Sequence, residues 1–157
     1  MHATTKLALG SMLLLLALLT PAPATSADQD VVDTVSAAQV AKLLGDLGYT
    51  GSEIDEDGDI FVRMQGYSVL MLIGSYDGVY IAMVSAFADT RATLESVNTW
   101  NQEKRFARAY LDGDGDPVVE AELDLAGGVT IARVKDFIQT FGRLSLPEFV
   151  QTVAVSR

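Results

Sequence analysis

The stretch that most constrains the fold is the alternation Val118-Val119-Glu120-Ala121-Glu122-Leu123-Asp124-Leu125. It is set between Asp112-Gly113-Asp114-Gly115-Asp116 and Gly127-Gly128. A period of two describes a strand with one buried face and one open face. Val119, Ala121, Leu123 and Leu125 belong to the buried face; Glu120, Glu122 and Asp124 belong to the open one. The aspartate–glycine run ahead of the strand is a tight-turn signal. Phe106 to Leu111 is therefore expected to pair with it as an antiparallel hairpin. Centring the turn on Asp114 sets Arg108 opposite Glu120 and Lys104 opposite Asp124. Such pairs contribute roughly 0.2–1 kcal/mol each and fix register more than they stabilise.

Helical patterns frame this hairpin. Ser36 and Gln39 have capping-box spacing. Val40, Leu43, Leu44 and Leu47 follow on one face, with Gly48 as a stop. A second helix over about Thr90 to Gln102 carries the stripe Leu94, Val97, Asn98 and Asn101, with Trp100 at its edge. Thr130 is a good N-cap for a third stripe of Val134, Phe137, Ile138 and Phe141, with Gly142 as its stop. Ser145-Leu146-Pro147-Glu148 reads as a capping box opening a fourth stripe of Leu146, Phe149, Val150 and Val153. Between the first two helices lies a β region. Gly51 to Asp55 is a short edge strand, Asp57-Gly58 a turn, and Ile60 to Gln65 an alternating strand. Tyr67 to Gly74 and Val79 to Phe87 follow, joined by a turn at Tyr76-Asp77-Gly78. Leu70 and Leu72 make Tyr67 to Gly74 apolar on both faces, which predicts a central strand covered on both sides. Gly66, Gly74 and Gly78 read as turn residues, and Met64, Met71 and Met83 as core. No internal repeat and no low-complexity linker is evident. The expected architecture is one compact α+β domain, an antiparallel sheet with helices packed on it, ending in one broken or two short helices.

The N-terminus is a separate object. Lys6 precedes the apolar run Leu7 to Leu19, broken only by Gly10 and Ser11; Pro21, Pro23 and small residues to Ala27 follow. That is the layout of a secretory signal peptide, with cleavage fitting after Ala24 or after Ala27. A bilayer span takes about 20 apolar residues, so the run predicts a removed leader and no stable membrane insertion after cleavage. The expected organisation is a signal peptide over 1–27, a flexible lead-in over 28–35 and the α+β domain over 36–157. The protein is expected to be exported, periplasmic or secreted. Removing residues 1–27 takes Lys6 and His2 from a chain of 11 basic and 21 acidic residues, leaving a formal charge of −11. Neither histidine nor cysteine then remains. No Ser-His-Asp or Cys-His catalytic arrangement can be built, nor an imidazole or thiolate zinc site. The acidic balance argues against nucleic-acid binding, which needs clustered Lys and Arg.

Four motifs carry a family likeness: Asn98-x-Trp100-Asn101; Arg105-Phe106-x-Arg108-Ala109-Tyr110-Leu111-Asp112; Asp114-Gly115-Asp116-Pro117; and Asp124-Leu125-x-Gly127-Gly128. Together they resemble the YbjN family of bacterial proteins, over roughly Ser36 to Phe149. The resemblance implies the label of sensory transduction regulator and a fold similar to that of type III secretion chaperones, compact α+β dimerising proteins. It implies no catalytic residue, no cofactor and no defined partner.

The candidate site is Asn98, Trp100, Asn101, Arg105 and Arg108. A buried amide must be hydrogen-bonded, because leaving it unpaired costs roughly 1–3 kcal/mol. The two asparagines either tie the second helix to the hairpin or, with Trp100, line a groove for an extended peptide. Tryptophan is common at binding hot spots. Arg105 and Arg108 form either a small basic patch or surface pairs with the acids opposite. Asp112 to Asp116 and Asp55 to Asp59 have the acid spacing of a calcium loop, but Pro117 and Ile60 stand where glycine is needed, and Leu123 and Gly66 where glutamate is needed. Gly127-Gly128 lacks the surroundings of a phosphate loop. The expectation is an exported, non-enzymatic module with an unknown protein or peptide partner, a second copy in a homodimer being one option, without metal or cofactor. The alternatives are an extracytoplasmic calcium- or small-ligand-binding protein and, remotely, a hydrolase using carboxylates alone.

Overall fold

The computed structural model describes residues 26–74 and 79–155. The leader and the turn expected at Tyr76-Asp77-Gly78 lie outside the described residues. After a short 3₁₀ turn at Ser26–Gln29 come β1 (Val31–Val32), α1 (Ala37–Asp46), β2 (Glu53–Ile54), β3 (Ile60–Met64), β4 (Tyr67–Ile73) and β5 (Tyr80–Ala86). The second half has α2 (Leu94–Glu103), β6 (Arg108–Leu111), β7 (Pro117–Asp124), β8 (Val129–Thr130), α3 (Ile131–Thr140) and α4 (Leu146–Thr152). Six strands form one antiparallel sheet in the order β2-β3-β4-β5-β7-β6, and β1 pairs with β8 apart from it. The domain is α+β.

Local chemistry explains the elements. Ser36 and Gln39 close a reciprocal capping box at α1. Gln65 and Gly66 both have positive φ (52° and 86°), the two-residue turn whose twist matches its flanking strands, and Met64 pairs with Tyr67 across it. The two aspartate turns are built alike. The Oδ1 of Asp55 accepts from the amides of Asp57 and Asp59, and the Oδ1 of Asp112 accepts from those of Asp114 and Asp116, all at 2.9–3.0 Å. The alternation of β7 holds: Val119, Ala121, Leu123 and Leu125 are buried and Glu122 and Asp124 exposed.

One side of the sheet carries the core. Ile60, Val62, Met64, Val69, Met71, Ile81, Met83 and Val119 meet Val40 and Leu44 of α1, Val97 and Trp100 of α2, Val134, Phe137 and Ile138 of α3, and Leu146 and Phe149 of α4. Leu70, Leu72 and Val84 point the other way and take no part in that core. The expectation that β4 is covered on both sides is thus corrected: the described helices lie on one side only.

Other expectations are corrected too. The buried line of α2 is Val97 and Trp100, while Leu94 is 74% exposed. Gly142 does not end the third helix. The chain runs through a π-helical turn at Phe141–Ser145 into α4, and Ser145 is buried in helical backbone without capping anything. Glycine stands at 142 because a Cβ there would lie 2.6 Å from the Tyr49 hydroxyl and 2.9 Å from the Met64 sulfur. The lead-in contacts the domain: Val31 and Val32 pair with β8, Asp28 bonds Lys135 at 2.5 Å, and the Asp30 carbonyl accepts from the Ile131 amide.

The chain also contains a repeat that its residue identities hide. A unit of capped helix, strand, aspartate turn and strand occurs twice, with each counterpart 57 positions on. Ser36 and Thr93 are the N-caps, α1 and α2 the helices, Asp55 and Asp112 the turn heads, and Gly58 and Gly115 the positive-φ residues. The registers match as well: Glu53 faces Phe61 as Tyr110 faces Val118, and Ile54 faces Ile60 as Leu111 faces Pro117. The units place β2 and β6 at the two opposite edges of the sheet.

Candidate functional site

The candidate residues sit where α2 hands over to β6, and the structure separates their roles. Asn101 reaches the edge strand with both ends of its amide. Its Nδ2 donates to the Ala109 carbonyl at 2.9 Å and its Oδ1 accepts from the Ala109 amide at 2.9 Å. Ala109 faces away from β7, so without Asn101 its two backbone groups would be an open template for another strand. At Ala109 the side chain stands in for a neighbouring strand; among the described residues no bond from outside the ladder reaches Leu111, two positions on. Asn98, by contrast, is exposed.

Trp100 is buried at 2% exposure and meets the Phe149 ring edge-on at 5.2 Å. Its indole N–H has no partner among the described residues. It is a core residue beneath α4 and lines no groove, so the grouping of Trp100 with the asparagines around a peptide groove is corrected. Both helix register and burial explain this: Trp100 lies one turn after Val97 on the inner side of α2.

Lys104 caps α2 and pairs with Glu148 of α4, not with Asp124. The positive φ of Phe106 (70°) turns the chain, so β6 begins only at Arg108. Arg105 donates to the carbonyls of Gln102 and Lys104. Arg108 stands opposite Glu120 and bonds it at 2.9 Å. Although Glu120 is on the open side of the sheet, it is only 8% exposed, because Arg108 and Tyr110 lie beside it. Burial raises the Glu120 carboxyl, but the hydrogen bond and charge of Arg108 outweigh it and hold the group below the ordinary carboxylate value. The same bond raises Arg108, and burial followed by the Glu120 charge raises the Tyr110 phenol. A general acid needs the opposite shift in its carboxyl. Asn101, Arg105, Phe106, Arg108, Glu120 and Glu122 border a broad hollow of about 620 Å³, within which Arg108 and Glu120 are paired.

The aspartate turns are accounted for by their own backbone bonds. Among the described residues, no group of three or more acidic, histidine or cysteine side chains could hold a metal ion. No described helix is long and apolar enough to cross a membrane.

The feature that sequence reasoning missed is the uncovered sheet face. Phe61, Leu70 and Val84 stand in one cross-strand row and Leu72 and Ala82 in the next, with Glu120 and Glu122 continuing those rows on β7; Leu70, Leu72 and Val84 are half-buried and Ala82 is buried. Phe61 is 48% exposed. The two-sided apolar pattern of β4 was the available signal.

An antiparallel sheet with its helices on one side and an apolar strip on the other defines a small α+β domain built around an open sheet. The chain belongs to the YbjN family, described as "Putative bacterial sensory transduction regulator", whose model matches residues 36–146. The crystal structure of YbjN from E. coli is similar at 18% identity and a TM-score of 0.62, covering 82% of this chain and all of that one. The HopA1–SchA chaperone–effector complex contains a chain similar at 9% identity and a TM-score of 0.49, covering 69% of this chain and 88% of that one. No curated protein matches the chain.

Proposed function

We propose that this YbjN-family protein is an exported, non-enzymatic binding module that holds a protein or peptide against the uncovered face of its sheet. The observation that carries the reading is the row Phe61, Leu70 and Val84, an apolar strip outside the helical core. Phe61 is exposed and Leu70 and Val84 are half-buried, and apolar side chains gathered outside the core mark an interaction site. The leader pattern of residues 1–27 supports export, and the absence of histidine and cysteine from residues 28–157 supports a role without catalysis. Two copies meeting by this face would form a homodimer, which sedimentation reads directly.

The test is crosslinked capture from the exporting organism with the wild type, Leu70→Glu and the control Leu94→Glu. Leu70→Glu is expected to lose the captured proteins while keeping its thermal transition, and Leu94→Glu to retain them. Recovery of the same proteins with Leu70→Glu would remove the face from consideration. Mass measurement of the exported form should show an N-terminus at Thr25 or Asp28; a chain still beginning at Met1 would refute processing.

A further inference from the structure

The two edges of the sheet are built from equivalent units but finished differently. At β6 the outward groups of Ala109 are taken by Asn101. The counterpart of Asn101 in the first unit is Leu44, fully buried and without a polar atom, and the counterpart of Ala109 is Ser52. Among the described residues, no hydrogen bond from outside the sheet ladder reaches the backbone of Ser52, Ile54 or Arg63. The positive φ of Gly51 (75°) turns the chain away and leaves β2 two residues long. β3 therefore runs on past β2, and its outer edge at Arg63 faces a hollow of about 330 Å³ bordered by Thr50, Gly51, Glu53, Phe61 and Ser68. Ile54 and Phe61 are 47% and 48% exposed there.

The charge of this edge selects what can add to it. Glu53, Asp55, Glu56 and Asp57 are exposed and Asp59 is half-buried. The nearby cation is Arg63, whose guanidinium is turned to the Gly66 carbonyl. A second copy presenting the same edge would set carboxylates against carboxylates, and like charges across strands destabilise the pair. A segment bearing Lys or Arg would meet opposite charge.

We propose that the β2–β3 edge takes up an extended, Lys/Arg-bearing segment of a partner protein as an added strand. This inference rests on the reading of the protein as a peptide-binding module, and it concerns the edge rather than the open face. The main chain of the segment bonds the outward amide and carbonyl of Ile54. Its apolar side chains pack on Ile54, and its cations, on the other face, meet Glu53 and the nearby Glu56. Strand addition of this kind takes affinity from the main chain and specificity from alternate side chains.

The probe is a blocked hexapeptide of alternating lysine and valine, compared with one carrying glutamate for lysine, titrated into the mature protein and followed by amide NMR and hydrogen exchange. The lysine peptide is expected to shift and protect Ile54 while leaving Ala109 unchanged, and to weaken at least about fivefold from low to physiological salt. Ile54→Pro is expected to abolish binding with the fold intact, because proline is tolerated on an edge where the N–H bonds nothing. Glu53→Lys with Glu56→Lys is expected to reverse the preference between the peptides. Equal binding of both peptides, protection at Ala109, or no protection at millimolar peptide would overturn the proposal. Concentration-dependent protection of Ile54 without peptide, lost in Ile54→Pro, would overturn it in favour of a second copy. Leu70→Glu should bind the lysine peptide normally, so failure at the edge is distinguishable from failure of the face.

Discussion

Replacing Asn101 tests whether the β6 edge is sealed at Ala109 by a side chain. Asn101→Ala removes two hydrogen bonds of 2.9 Å to Ala109. A hydrogen bond contributes roughly 0.5–1.5 kcal/mol net, so the pair bounds the loss at about 1–3 kcal/mol. Asn101 is exposed, so water can reach the Ala109 groups once the amide is gone. Solvation therefore wins part of the loss back, and the expected cost of Asn101→Ala is about 1–2 kcal/mol. Asn101→Leu, which copies Leu44 of the first unit, places a methyl-bearing side chain where that water would stand. Its cost is expected at the upper end, about 2–3 kcal/mol. Urea unfolding gives the stability change, and amide exchange at Ala109 should quicken by roughly the same free energy. Asn98→Ala, three residues earlier and exposed, should stay within about 0.5 kcal/mol. If Asn98→Ala costs as much as Asn101→Ala, or if Ala109 exchange is unchanged when Asn101 is removed, the sealed-edge account is wrong.

Trp100→Ala should cost about 3–5 kcal/mol through a core cavity against Phe149, whereas Trp100→Phe should cost about 1 kcal/mol because the lost indole N–H has no partner; thermal denaturation separates them. Gly142→Ala should destabilise by about 1–3 kcal/mol through overpacking against Tyr49 and Met64. Tyr49→Phe removes the closest clashing atom, so a double-mutant cycle should show Gly142→Ala costing less in that background. The folded Glu120 carboxyl lies below its unfolded value of about 4.3. Its stabilisation is therefore complete above that value and lost as pH falls through the lower, folded one. Urea midpoints measured from pH 6 to pH 2 should fall less steeply in Glu120→Gln and in Arg108→Gln than in the wild type; parallel curves would refute the pairing.

Much of the fold was legible because it rests on short-range signals. The Ser36–Gln39 spacing placed α1, the alternation of Val119 to Leu125 placed β7, and the turn centred on Asp114 set Arg108 against Glu120. What failed depends on distant partners. Gly142 looks like a helix stop, yet its missing Cβ serves the approach of Tyr49 from almost a hundred residues away. Lys104 was assigned by strand register, but the φ of Phe106 moves it to Glu148. The asparagine stripe of α2 was visible, while the two-ended bond of Asn101 was not, since it depends on where β6 passes the helix. The repeat escaped notice because Leu43 and Leu44 have Trp100 and Asn101 as counterparts, so backbone conformation recurs where side-chain identity does not.

That difference between counterparts bears on how the protein stays in solution. With Asn101 in place, among the described residues β6 has the outward groups of Ala109 taken and those of Leu111 open, while β2 is open and its carboxylates oppose pairing with a second β2. Removing Asn101 gives each molecule two open edges that are not identical. β2 of one copy can then pair with β6 of the next, where Arg105 and Arg108 lie near the incoming Glu53 and Glu56. Such a contact is heterologous and does not close on itself, so it propagates as an open chain. Asn101→Leu is therefore expected to form salt-sensitive higher assemblies by light scattering at concentrations where the wild type does not. Adding Ile54→Pro should suppress them, because it blocks the other partner of the same contact. Assemblies that persist in the double variant would mean that association runs through the apolar face of Phe61, Leu70 and Val84, and that the edges play no part in it.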